Sequence, residues 1–244
     1  MILGLVRVLC VGGACLVLMG LGSFGCGQDV AKPSPRSRDI TFQSQDGVLI
    51  SATLYPVPSS SPPALILLPM VGADRFSWGA FAQKAQAAGM MCLTMDLRLA
   101  TRDGSPTTDR AIRAVLEQSF PDMNLAKEVL IERGADPTNL AVVGAGEGAN
   151  LLLSWAADHD EIAAAVLISP GLDYAGVSAE QAIIEFGPRP VMLMTSTGDA
   201  YSAASCRALN EMARGFCELR EYEGAAHGTD LLQQSEQATE QALL

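Results

Sequence analysis

Two residues in this chain have the types and the order needed to move a proton at an acyl carbon: Asp199, in Thr197-Gly198-Asp199, and His227, in Gly224-Ala225-Ala226-His227-Gly228. A carboxylate that orients a histidine lets the ring take the proton of an attacking hydroxyl or thiol. The same chemistry needs an attacking atom and N–H donors for the oxygen that becomes negative. The stretch able to supply them is Gly144-Ala145-Gly146-Glu147-Gly148. It follows the apolar run Leu140 to Val143 and precedes the helix-forming run Ala149 to Trp155. A strand, a tight glycine turn and a helix aim backbone N–H groups and a positive dipole end at one point.

Two catalytic motifs fit that turn. One is the dinucleotide fingerprint G-x-G-x-x-G/A, met by Gly144, Gly146 and Ala149. The other is the nucleophile elbow G-x-S-x-G, with Gly144 and Gly148 as its outer glycines and Gly146 at the nucleophile position. A glycine-rich buried turn without any chemistry is the third reading. The elements around the turn separate them. Strands are predicted at 39–43, 48–55, 64–69, 90–96, 139–143, 163–169, 189–196 and 216–222. Helices are predicted at about 77–88, 109–133 (broken near Pro121), 148–157, 178–186 and 202–214, with a final helix at about 229–242. The inner strands, such as Ala64 to Leu68 and Val191 to Met194, are apolar throughout, as strands covered on both faces are. Asp46-Gly47 joins the first two as a hairpin.

A dinucleotide fold places its glycine turn after the first strand, with a carboxylate ending the next. Here the turn follows the fifth predicted strand, and the next one ends Leu167-Ile168-Ser169-Pro170. The elbow asks for an acid and then a histidine, each in a loop after a later strand. Asp199 and His227 meet that order. Alone, Asp199 would be a helix N-cap and His227 a loop histidine; the joint order favours the elbow.

With those residues in place the chain resembles the α/β-hydrolase family over roughly residues 38–244. It is most similar to the small lidless bacterial branch of dienelactone hydrolases and acyl esterases. The resemblance implies an α/β fold: an eight-stranded, mostly parallel sheet opened by an antiparallel hairpin, with helices on both faces and no lid domain. It implies Asp199 and His227 as the acid and base. The oxyanion N–H groups would come from Met70 or Val71, in the loop Pro69 to Arg75, and from Glu147. Asp96-Leu97-Arg98 is similar to the start of the family's D-x-R-G-x-G-x-S stretch. The departures fall at the site: Gly146 stands where Ser, Cys or Asp is usual, Pro69 replaces a histidine, and Leu99-Ala100-Thr101 replaces a glycine-bearing turn.

Glycine has no atom to attack with, so no acyl-enzyme forms at 146. It also relieves the strain an elbow imposes on other residues, about 1–3 kcal/mol. Substitute nucleophiles would be Ser169, Ser196 or Ser105, each otherwise an ordinary loop or capping serine. The Glu147 carboxylate either lies near the place where negative charge must develop or points to solvent, where it favours the helix N-terminus.

The chain of 244 residues is 49% hydrophobic, which suits one large domain. At its start, Arg7 precedes an apolar segment, Val8 to Gly22, too short for a comfortable membrane span. Gly25-Cys26 then resembles a lipoprotein signal. The predicted organisation is a lipoprotein-type signal peptide over 1–25, a Pro/Ser-rich tether over 26–37 and the hydrolase-like domain over 38–244, with lipid carried by Cys26. Ordinary secretion and an uncleaved anchor are the alternatives. The net charge is −11, and −12 without Arg7, which disfavours nucleic acid as a partner. Cys92, Cys206 and Cys217 are then core thiols, or Cys206–Cys217 a disulfide. With only His159 and His227 no histidine-rich metal site is expected, and no cofactor.

Two functions follow. One is an envelope pseudo-hydrolase held at the membrane by its lipid anchor and binding a small acyl or carboxyl molecule, or an envelope protein partner. The other is a working ester or dienelactone-type hydrolase that uses water or another nucleophile with Asp199 and His227.

Overall fold

The computed structural model describes residues 37–98 and 108–243. The signal and tether readings at 1–36, Cys26 among them, lie outside those residues, as do Leu99 to Thr101 and Ser105.

Among the described residues, ten strands and eight α-helices follow in order: β1 Arg38–Gln43, β2 Leu49–Tyr55, β3 Ala64–Leu68, α1 Gly79–Ala87, β4 Met91–Met95, α2 Asp109–Gln118, α3 Phe120–Glu132, β5 Leu140–Ala145, α4 Glu147–Ala157, β6 Ile162–Ile168, β7 Asp173–Tyr174, β8 Val177–Ser178, α5 Ala179–Glu185, β9 Val191–Ser196, α6 Ala200–Met212, β10 Cys217–Tyr222, α7 Thr229–Gln234 and α8 Glu236–Gln241, with a short 3-10 helix over Arg75–Trp78 before α1. Eight strands form one sheet in the order β1-β2-β4-β3-β5-β6-β9-β10. β1 and β2 pair antiparallel, β2 meets β4 antiparallel, and every later pairing is parallel. This is the α/β-hydrolase fold, with no lid among the described residues.

Burial explains the order. Every residue of β3 and β4 is buried, as apolar strands inside a covered sheet must be. β10, at the open edge, carries Glu218, Arg220 and Glu221, whose charges discourage pairing with another chain. One apolar layer joins a face of the sheet to α3, α4, α5 and α6 through Met123, Leu130, Leu152, Ile183 and Leu209. The other joins the opposite face to α1, α7 and α8 through Phe81, Leu231 and Ala238.

The predicted elements differ from the observed ones at the final helix and at β7–β8. The segment predicted as one final helix is two, because Ser235 is extended (φ −130°, ψ 107°) and its hydroxyl accepts from Ala238 N–H as the N-cap of α8. The long helix breaks at Ser119, close to the break expected near Pro121, and Pro121 falls in the first turn of α3, where its missing N–H costs nothing. The two-residue hairpin β7–β8 was not foreseen; strands that short leave no periodic signal. Cys92, Cys206 and Cys217 are free thiols, so the Cys206–Cys217 disulfide is not formed.

Candidate active site

The candidate catalytic and oxyanion residues lie at the carboxyl ends of parallel strands of the one sheet, where open α/β sheets form their clefts. Met70 and Val71 follow β3, Gly146 follows β5, Asp199 follows β9 and His227 follows β10.

The turn at 144–148 is tight because a helix must start directly over the strand ends. A side chain at 148 would bring its Cβ within 2.3 Å of the Pro69 carbonyl oxygen, and one at 144 within 2.5 Å of the Ala149 Cα. Both obstacles are backbone, so both positions demand glycine. Gly146 is the N-cap of α4 with φ 53° and ψ −126°, a conformation that other residues adopt only under strain. Its N–H donates to the Ile168 carbonyl at 2.9 Å, which fixes the turn against β6.

His227 is held from one side by Asp199: His227 Nδ1 and Asp199 Oδ2 are 2.6 Å apart. Asp199 occupies the N-cap position of α6, yet its side chain makes no capping bond. The carboxylate has been turned from the helix end toward the imidazole. That bond leaves Nε2 as the free ring nitrogen, and it faces the glycine turn: a β-carbon on residue 146 would lie 3.2 Å from it. The loop carrying His227 is anchored by the next residue, whose N–H donates to Ser169 Oγ at 3.0 Å. Ser169 is fully buried, with a positive φ of 50°. Its hydroxyl therefore positions the histidine loop. Ser196 is buried at the end of β9 with its hydroxyl unpartnered.

Of the two oxyanion candidates in the loop after β3, Val71 is engaged. Its N–H donates to Glu147 Oε2 at 3.1 Å, across 76 residues of chain. The Glu147 side chain thus folds back over the turn and does not extend into solvent. Met70 fills the remaining space: its Cβ lies 2.8 Å from where a β-carbon on 146 would be, and its Sδ 2.4 Å from where one on Gly228 would be. The loop is braced from behind by Asp96, whose Oδ1 accepts from Arg75 N–H and whose Oδ2 accepts from Arg75 Nη1, both at 2.7 Å. Arg98 reaches the other way, bidentate to buried Asp122 at 2.6 and 2.7 Å and paired also with Asp46. The Asp96-Leu97-Arg98 stretch is structural.

One wall of the site was missed by sequence reasoning. The Tyr174 ring meets the His227 ring edge to face, with centroids 6.5 Å apart, and the Tyr201 ring at 5.6 Å. Burial, aided by the negative charges of Glu147 and Asp199, pushes the Tyr174 hydroxyl up to about 12, although its hydrogen bond with Ser202 works the other way. Tyr174 sits on β7, and no spacing in the chain announces that two-residue strand. Among the described residues, no group of three histidines, cysteines or carboxylates is arranged to hold a metal, and no helix is long and apolar enough to cross a membrane.

Comparison with known proteins agrees with the fold. The polyketide transferase GrgF of a Penicillium species is 30% identical over 148 residues, which are 60% of this chain and 49% of that protein. The chain thus spans about half the length of the curated relative it matches. Among solved structures, GrgF superposes with a TM-score of 0.71 at 18% identity, covering 86% of this chain and 97% of that one. A dienelactone hydrolase from Anabaena variabilis gives 0.66 at 17% identity, covering 85% and 96%. An acetyl xylan esterase from a Paenibacillus species gives 0.68 at 16% identity, covering 89% and 87%. At those identities the superpositions speak for the fold alone. The family model described as the alpha/beta hydrolase fold matches residues 70–205, from the loop after β3 through the turn at 146 and beyond Asp199, and the chain belongs to that family.

Proposed function

We propose that this chain is a pseudo-hydrolase: a hydrolase frame with its acid and base in register and glycine at the nucleophile position. The observation that carries the reading is the 3.2 Å approach of His227 Nε2 to the vacant β-carbon position of residue 146. A serine there would put its hydroxyl within reach of the ring, and the ring is already held by Asp199. Without that hydroxyl no bond to an acyl carbon forms. What is left is a corner beside His227 whose occupant is a small acyl or carboxyl compound or an envelope protein partner. Similarity to proteins named as a polyketide transferase, a dienelactone hydrolase and an acetyl xylan esterase supports acyl compounds as the class.

A second reading has one observation in its favour. The intact Asp199–His227 pair can polarise a water molecule and so support slow hydrolysis, on the scale of the ~10³–10⁴-fold that hydrolases keep without a triad member. A fluorophosphonate probe separates a covalent enzyme from both. The pseudo-hydrolase takes no label after hours at micromolar probe, whereas an adduct mapped to Ser169 or Ser196 would refute the reading.

The site would be carried at the bacterial cell envelope, exported on the lipoprotein-type signal and tethered by lipid on Cys26. Two observations support this: the small residue Gly25 before Cys26, and the Pro/Ser-rich run after it. The expressed protein should enter the detergent phase of a Triton X-114 separation, and Cys26→Ala should leave it in the aqueous phase. Equal partitioning of the two would remove the anchor from the account.

A further inference from the structure

Glu147 does something that the glycine turn does not require. It is the first residue of α4, where its charge complements the positive helix end. Yet its half-buried side chain brings Oε2 to 3.1 Å from the Val71 N–H on the facing loop. In an elbow site, the N–H of the loop after the third strand and the N–H following the nucleophile are the donors for the oxygen that becomes negative. A carboxylate bonded to one of them is already an anion in that place. Resting on the reading of residue 146 as the nucleophile position, we propose that Glu147 is a resident anion: it occupies the oxyanion cradle and excludes carboxylates and other oxyanions from the site.

Two further observations point the same way. The Tyr174 ring meets the His227 ring edge to face, and the negative charges of Glu147 and Asp199 add to the effect of burial in raising its hydroxyl. Met70 closes the adjacent space, with its Cβ against Gly146 and its sulfur against Gly228. A ligand able to enter is therefore one without negative charge, which narrows the acyl class to neutral esters, amides and lactones. The same bond sets a second requirement for hydrolysis. Restoring the hydroxyl at 146 would leave one of the two donors engaged, and one oxyanion donor is worth about 10²–10³-fold in rate.

The test has two arms on the full-length protein. In the first, sodium acetate is titrated into ¹⁵N-labelled protein while the Val71 amide signal is followed. The expected result is a saturable shift in Glu147→Ala and none in the native chain. Should that variant fold poorly, Glu147→Gln, which keeps an acceptor but not the charge, should show a smaller shift. Shifts equal in variant and native chain, or absent from both, overturn the proposal. In the second arm, Gly146→Ser and Gly146→Ser/Glu147→Ala are exposed to a fluorophosphonate. The serine oxygen attacks phosphorus, the P–F bond breaks, fluoride leaves and His227 Nε2 takes the hydroxyl proton. The double variant should label about 10²-fold faster than the single. Equal rates overturn the resident anion and leave the reading of 146 standing. No labelling of either variant counts against the reading of 146, and the acetate arm then decides the role of Glu147.

Discussion

A β-carbon at residue 146 would be pressed from two sides, by the Met70 Cβ at 2.8 Å and by His227 Nε2 at 3.2 Å, on a backbone already at φ 53°. Gly146→Ala should therefore cost about 1–3 kcal/mol in backbone strain, with a further loss from the contact with Met70. Urea unfolding measures it, and an unchanged midpoint would show that the turn relaxes freely. This position was legible in the sequence, because glycine between two obligatory glycines stands out against the family pattern. The role of its neighbour was not. Whether the Glu147 side chain turned to solvent or to the loop after β3 depended on a contact 76 residues away. Tyr174 was likewise invisible, and it yields a prediction of its own. Burial raises its hydroxyl to about 12 from an ordinary 10, so the unfolded chain loses that proton first as pH rises. Between about pH 10 and 12 the unfolded state binds fewer protons than the native one, and stability falls. Tyr174→Phe should flatten that part of the stability profile; the same alkaline slope in both proteins would exclude Tyr174 as its source.

Individual elements place these residues because each helix or loop end is tied to a distant one. The loop after β3 is held by Asp96 through Arg75, and the start of the loop after β4 is held at Arg98, whose guanidinium is clasped by Asp122 on α3. Arg98 and Asp122 side chains are only 7% and 1% exposed, so removing one partner strands a buried charge. Asp122→Ala should cost about 3 kcal/mol, the lower end for breaking such a pair, since Asp46 still holds Arg98 from the open side. A loss below about 1 kcal/mol would mean that water reaches the guanidinium freely. Element existence was readable wherever an apolar run was continuous, as in β3, β5 and β9. It failed at β7–β8, whose pairing depends on Asn150, a buried α4 side chain that donates to the carbonyls of Gly171 and Val177. It also failed at Ser235, where a single hydroxyl cap outweighed a continuous helical pattern.

At the scale of the whole molecule, the sheet brings together four segments that lie far apart in sequence. The order β3-β5-β6-β9 places the loop after β3 and the glycine turn on neighbouring parallel strands and the acid one strand beyond β6, and β10 delivers the histidine at the edge. Fold class followed from apolar strands alternating with helices. Strand order did not, since it requires knowing which strands cross over which. His227 Nε2 faces the glycine turn at 146, and the Val71 N–H is engaged by Glu147. The most direct test is the rate of p-nitrophenyl butyrate hydrolysis by the purified protein beside that of His227→Ala. The account predicts that neither reaches ordinary esterase turnover and that any slow hydrolysis by the native chain stays within the residual range of a site lacking its nucleophile. Turnover at the rate of a working esterase, abolished by His227→Ala, would contradict it.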